Sequence, residues 1–572
     1  MDLLPVIVIG VVAIVLITTI APKFGIAAPL ILVVIGAAVG LLPFVPEVHI
    51  EPEWILGGVL PPLLYSAAVN TPTMGFRRDL WMISVFAVLL VAASAVSVGF
   101  VLTWLIPDLP LAIGIAVGAV VSPTDAVATG IVTRSGVSTR IVDVLDGEAL
   151  FNDASALVLV RSAIAAVAAS VTLWDVTTDF LYSLAVAVLI GVVVGRFNVA
   201  IRSHIPDTAS NVAFSLAVPF LAAIPAEHIN ASGLVAAVVA GMITGQRIPK
   251  RLSSEVRIAG AAVWETISHV LESGIFLVMG LQLYTLIQDI RVTSDNQLTA
   301  IEIGVVVISV LIAIRAAFVF GSVWLRARRS AGYAIQRQRM VEFTEHMNRV
   351  SAERQAGTDR KPINRRRWEN FQDVMARRIA DIDYLANEQF GAKHAVVLVA
   401  AGMRGAITLA AAQLLPVGAP HRSLLILIAF VVAAGTLIVQ GGTLPALVRA
   451  LKLPTQDPGT TARVMQQLGN DLNQAVMRKL DEGSLTRRDG KPFSEAAIAH
   501  ARTMLKSRLS PESVPERKTA ISELTALRLE IVEASRSELL RIRDRGTYSS
   551  DVLSVKLAQL DADQVSIEAR LM

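Results

Sequence analysis

SPTDAVATGIVTRSGVSTRIVDVLDGEALFNDASALVLVR, residues 122–161, is the stretch on which the reading of the whole chain turns. It holds two apolar helices' worth of residues, yet Asp125, Glu148, Asp153 and Arg161 lie inside them. Charged groups at membrane depth are costly, so they are rare without a partner or a purpose. Pro123, with Gly118 and Gly130 on either side, predicts a break in the first of these helices. The backbone groups freed at such a break can meet an ion. Acidic side chains, an amide, hydroxyls and an interrupted helix at one depth together suggest a cation path.

The surroundings of that stretch are those of a membrane protein. Hydrophobic residues make up 54% of the chain, and windows such as 82–105 carry no charge at all. Apolar segments at 4–20, 25–44, 55–69, 80–106, 111–132, 144–171, 181–201, 209–224, 231–245, 261–287, 300–325, 392–415 and 423–451 predict about thirteen transmembrane helices. The expected fold class is therefore an all-α polytopic membrane protein with a helical tail. The first apolar segment lacks a basic leader and is read as a retained span. A net charge of +4, spread over the connections, gives no case for nucleic acid. The absence of cysteine excludes disulfides and thiolate metal sites, and no cofactor is implied.

Charge in the connections sets an expected orientation. The odd-numbered ones carry Lys23, Arg77, Arg78, Arg134, Arg140, Arg202, Arg247, Lys250, Arg251 and Arg257, whereas the even-numbered ones carry Glu47, Glu51, Asp108, Asp175, Asp179 and Glu227. By the positive-inside bias the N-terminus lies outside and the C-terminus in the cytoplasm. The chain divides into a transport domain at 1–325, a basic cytoplasmic insertion at 326–391, two further membrane helices at 392–453 and a helical tail at 454–572. The insertion reads as a positive-inside loop, with an anchor to anionic lipid as the sharper alternative. In the tail, Ile521, Leu524, Leu527, Ile531, Ala534 and Leu539 mark one face of an amphipathic helix.

On a helix, Glu148 and Asn152 share a face, with Asp153 about 100° further round. A desolvated carboxylate holds a proton more tightly than one in water, so proton and metal cation compete for it. Such a site, always leaving loaded with one or the other, makes an exchanger, and a single carboxylate favours one-for-one, electroneutral exchange. In the second half, Arg404 stands between Gly402 and Gly405 in another glycine-interrupted segment. Two broken segments in corresponding places are the pointer to an inverted-repeat transporter. A buried guanidinium needs a carboxylate, and Glu148 is the expected partner of Arg404. Glu265 and Glu272 lie in the tenth segment, where either could serve Arg161 or the same network.

SPTDAVATG, GEALFNDASALV and GMRGAITLA, together with SGLVAAVVAGMITG at 232–245 and SGIFLVMGLQL at 273–283, resemble the sodium/proton exchanger branch of the monovalent cation/proton antiporters. The resemblance covers the membrane part apart from the basic insertion. It implies thirteen helices in a core and a dimerisation domain, two broken helices crossing beside the ion site, and elevator-like movement of the core. It also implies that Asp153 binds cation or proton, with Asn152, Thr124 and Asp125 beside it, and that Glu148 and Arg404 form a structural salt bridge. Ala149 replaces the family's usual serine and Ser66 its usual acidic residue in the third span.

The function expected is antiport of a monovalent cation, Na+ first, against H+, by a homodimer in the cell membrane and not by an enzyme. K+/H+ antiport is the alternative. A cation channel would use similar residues, and Asp125 and Asp153 could by number serve an intramembrane aspartyl protease, but no GxGD sequence surrounds either. No HExxH is present for a zinc protease. Glu272, Ser66 and Arg161 are accessory candidates. Asp125, following a proline, also fits a plain cap on the second half-helix.

Overall fold

The structure is a computed structural model that describes residues 3–24, 28–41, 53–125, 127–168, 173–293, 297–356, 365–387, 391–405, 407–453, 458–483, 485, 492–507 and 518–568. Glu47 and Glu51, used above for orientation, lie outside the described residues. The chain folds into two compact units, one of residues 1–248, 260–327 and 390–455, the other of residues 249–259, 328–389 and 456–572. Regular structure is helical in both.

The first unit opens with α1 (Leu3–Ile20), α2 (Ala28–Gly40), α3 (Leu60–Asn70), α4 (Thr73–Ser84) and α5 (Val91–Leu105). A broken pair follows, α6 (Leu111–Val120) and α7 (Val127–Arg134), and then α8 (Thr139–Ala168), α9 (Leu173–Arg202), α10 (Thr208–His228) and α11 (Gly233–Arg251). α12 (Ser254–Thr293) and α13 (Gln297–Ala356) come next, and α14 (Arg365–Asn387) belongs to the second unit. The first unit closes with a second broken pair, α15 (Ala392–Ala400) and α16 (Ile407–Ala412), followed by α17 (Arg422–Thr436) and α18 (Gly442–Leu451). Among the described residues seven helices are long and apolar enough to cross a membrane, and four shorter apolar ones, including α6, accompany them. Apolar side chains such as Leu189, Phe197 and Val305 point outward, as lipid contact demands.

Close packing here rests on small residues, because lipid gives apolar helices no hydrophobic reason to associate. The bare α-carbon of Gly118 on α6 lies against the Ala95 carbonyl of α5, so any side chain at 118 would collide with backbone. That contact fixes the half-helix leading into the first break. At the other end of α8, Asp79 of α4 is fully buried and accepts from Arg140 Nε at 2.9 Å and Nη2 at 3.0 Å. Arg326 of α13 adds a third bond to the same carboxylate at 2.5 Å. Arg140, counted above as a loop charge, is thus a buried structural group.

The second unit is also helical. α13 continues past residue 325 as one helix to Ala356, so the expected boundary of the insertion falls within a helix. α19 (Pro458–Asp481), α20 (Glu495–Ser507), α21 (Lys518–Arg545) and α22 (Ser550–Glu568) form the tail. Val476 and Leu480 of α19, Ala497 and Ala501 of α20, and Leu527 and Ala534 of α21 make its apolar core. Residues 249–259, which join α11 to α12, are gripped by the same unit. Asp561 on α22 accepts from Arg257 Nε at 2.9 Å and from Arg536 Nη2 at 3.0 Å, and Ser254 donates to Gln564 at 2.6 Å.

Candidate functional site

The two breaks meet. α6 ends at Val120 and α15 at Ala400, and residues 122–125 in the first break and 402–405 in the second are not helical. The amide of Asp125 in the first break donates to the carbonyl of Met403 in the second at 2.9 Å. The carboxylate of Asp125 lies on the bare α-carbon of Gly405, where a β-carbon would displace it. Arg404 answers from the other side: its Nε donates to the Val121 carbonyl at 3.0 Å, and its Nη1 to the Gly402 carbonyl. The guanidinium therefore sits on the carbonyl end of α6 and the carboxylate at the amide end of α16, each opposing the partial charge of a helix end. Thr436 on α17 steadies the second break by accepting from the Arg404 amide at 3.0 Å.

Arg404 is not the partner of Glu148. That carboxylate is held in two parallel bonds by Arg315 of α13, Nη1 to Oε1 at 2.5 Å and Nη2 to Oε2 at 2.9 Å. Arg315 is 1% exposed and also donates through Nε to the Leu398 carbonyl of α15 at 2.9 Å. The expected bridge is corrected for a physical reason. Freed carbonyls at the breaks already satisfy Arg404, and the fork of Arg315 matches a carboxylate bidentately. Arg315 was legible as an arginine inside the segment 300–325, yet nothing in sequence says which carboxylate it reaches.

From Glu148 a chain of hydrogen bonds leads to Asn152. The Thr124 hydroxyl donates to Glu148 Oε1 at 3.0 Å, and Asn152 Nδ2 donates to the Thr124 hydroxyl at 2.9 Å and to its carbonyl at 3.1 Å. The direction of this relay is forced. A carboxylate paired with arginine only accepts, so the hydroxyl spends its proton on it and takes a bond from the amide. The amide nitrogen is thereby turned toward Thr124, and Asn152 Oδ1 is left buried without a hydrogen-bond partner. Its neighbour Asp153 is 6% exposed and has no ion pair among the described residues. Asp125 interacts electrostatically with both Asp153 and Glu272 of α12, which is half-buried.

Thr124, Asp125, Glu148, Asn152, Asp153 and Arg404 thus converge on one region. Ser66 is buried on α3, but no hydrogen bond ties it to this group among the described residues. Its neighbour Tyr65 belongs instead to a network in which Asn198 Nδ2 donates to the Tyr65 hydroxyl at 3.2 Å and to Thr244 at 2.9 Å. Arg161 is exposed on α8, and Glu265 is exposed on α12. Among the described residues no three His, Cys, Asp or Glu side chains are grouped so as to hold a metal. The region thus brings together the carboxylates of Asp125 and Asp153 and the neutral oxygens of Thr124 and Asn152.

Comparison with known proteins gives the family. The family described as "Sodium/hydrogen exchanger, transmembrane" matches residues 10–450. An uncharacterized Na+/H+ exchanger of Escherichia coli, YjcE, is 31% identical over 56% of this chain, which spans 60% of that relative's length. An uncharacterized Na+/H+ exchanger of Mycobacterium tuberculosis is 27% identical over 99% of this chain and 96% of its own. In fold, the chain is similar to the sodium proton antiporter MjNhaP1 from Methanocaldococcus jannaschii, with a TM-score of 0.54 at 15% identity over 79% of this chain and 99% of that one.

Proposed function

The chain belongs to the sodium/hydrogen exchanger family, and from that premise we propose that it exchanges Na+ for H+ with Asp153 as the carrier. The observation that carries the assignment is the Asn152 side-chain oxygen, buried beside Asp153 with no hydrogen-bond partner. A buried acceptor left open is expensive, of order 1–3 kcal/mol, unless something else occupies it in use. A dehydrated monovalent cation between that oxygen and the Asp153 carboxylate is such an occupant. When the cation leaves, a proton neutralises Asp153, and the site never crosses the membrane with a bare charge. Thr124 and Asp125 complete the surroundings, Glu148 acts through Arg315 as a brace, and Glu272 adds negative charge nearby.

One carboxylate cycling between Na+ and H+ makes the exchange one-for-one and electroneutral, and the crossing breaks move as one body in an elevator-like step. K+ replaces Na+ in the second reading, which Ala149 favours by removing a hydroxyl from the family's usual motif. The working form is a homodimer in the cell membrane, N-terminus outside and C-terminus in the cytoplasm. Proteoliposomes carrying a proton gradient, challenged with Na+, K+ or Li+, test this. Internal pH should respond to Na+ most strongly in the wild type and to none of the three in Asp153→Asn. Equal proton movement in both proteins would remove Asp153 as carrier, and dissipation without uphill exchange would mark a channel.

A further inference from the structure

Asp146 on α8 is a carboxylate that the mechanism above does not use. Between Val142 and Asp153 only Val142, Asp146, Ala149 and Phe151 are partly exposed, and the rest are buried. Phe151 is accounted for by stacking on Phe76, ring centroids 5.5 Å apart. The other three fall at i, i+4 and i+7, and Asp153 at i+11, so they form a single stripe along the helix. The stripe starts near Arg140, at the end of α8 that holds Asp79 and is cytoplasmic in the orientation proposed above, and finishes at the proposed carrier. Its one polar group is Asp146, and its narrowest side chain is Ala149, directly between the two carboxylates.

Asp146 is held in place without being neutralised. The hydroxyl of Thr129, on the second half of the first broken helix, hydrogen-bonds to it, and no arginine or lysine pairs with it among the described residues. The neighbouring Asp79 and Glu148 show what this unit does with a purely structural carboxylate: both are fully buried and each takes a bidentate arginine. Asp146 is partly exposed and has only a neutral donor. It lies about 10.5 Å from Asp153 along the helix axis, too far to share one ion and near enough to pass one on.

We infer that Asp146 is a cation-collecting residue at the cytoplasmic mouth, which gathers the monovalent cation from that side and delivers it along the Ala149 face of α8 to Asp153. The inference rests on the antiport reading and adds a sidedness to it. A unit negative charge beside a wet path enriches a monovalent cation about fivefold at about 4 Å in water. The enrichment is screened by salt and acts only on ions arriving through that mouth.

The test compares wild type, Asp146→Asn, Asp146→Glu and Asp153→Asn in everted vesicles, where Na+ meets the cytoplasmic face, and in right-side-out vesicles, where it meets the other. Asp146→Asn should raise the apparent KM for Na+ about fivefold in everted vesicles and leave it unchanged in right-side-out ones. The increase should shrink when choline chloride raises the ionic strength, and Asp146→Glu should restore the wild-type KM. A KM raised equally on both faces would place Asp146 in the background field of the carrier and overturn the assignment. An unchanged KM on the cytoplasmic face would overturn it as well. If wild-type vesicles move no protons on Na+ addition, it is the antiport reading that falls, and the role of Asp146 with it.

Discussion

Asp79 and Asp153 are both buried carboxylates of the membrane-spanning unit, and α8 contacts the first and carries the second. Asp79 is saturated, with Arg140 on both oxygens and Arg326 on one of them. Asp153 has no ion pair among the described residues, and the oxygen of its neighbour Asn152 is open. A carboxylate with arginine on both oxygens holds helices together. On the function proposed above, a charge left open where two helices are also broken is kept for something that comes and goes. The same contrast separates Glu148, clamped by Arg315, from Asp153 five residues later.

Substitutions should split along that line. The largest effect is expected from Asp153→Asn, which should abolish cation-driven proton movement while leaving expression and melting temperature in detergent near wild type. Asp79→Ala should do the reverse. With Arg140 and Arg326 left buried and unpaired, about 3–5 kcal/mol of stability should be lost, seen as poor yield and a lowered melting temperature. Arg315→Ala should cost a similar amount, and Arg315→Met with Glu148→Leu should recover part of it, because removing both charges removes the uncompensated one. If Asp79→Ala were stable and inactive, the distinction between saturated and open carboxylates would fail.

A smaller effect sharpens the comparison. Thr124→Val removes the hydroxyl that orients Asn152, which costs of order 1–2 kcal/mol of positioning and should raise the apparent KM for the cation about tenfold with little change in folding. Asp207→Ala is the smallest. Asp207 caps α10 by accepting from the Ser210 amide at 2.7 Å, and the Ser210 hydroxyl together with that amide holds its carboxyl below the ordinary value. A depressed carboxyl contributes stability above the unfolded-state pKa, near 3.9, and loses it as pH falls through the folded-state one. The melting-temperature gap between wild type and Asp207→Ala should therefore be full at neutral pH and shrink below about pH 4.

Much of this was visible in the chain itself, and what was not has physical causes. The polytopic all-α class could be read because a bilayer demands long apolar runs, and the two breaks because Pro123, Gly402 and Gly405 punctuate such runs. α21 was placed at 518–545 by its amphipathic face, on which Leu527, Ala534 and Leu539 are buried. The partner of Glu148 was misassigned because pairing depends on which span lies behind α8, and hydropathy carries no such information. The continuity of α13 was hidden for a different reason. Hydropathy changes sharply at Arg326, but helix propensity does not, so the helix runs on into the basic segment. Asp146 was not singled out because nothing in the sequence separates it from Asp143, whereas the exposure pattern along α8 does.

Competition between cation and proton for one carboxylate can be observed without transport. Purified protein in detergent, in weakly buffered solution with a pH indicator, should release one proton per chain when saturated with Na+, and Asp153→Asn should release none. Proton release that persisted in Asp153→Asn, or Na+ binding to the wild type with no proton released, would contradict the assignment of Asp153 as the shared site.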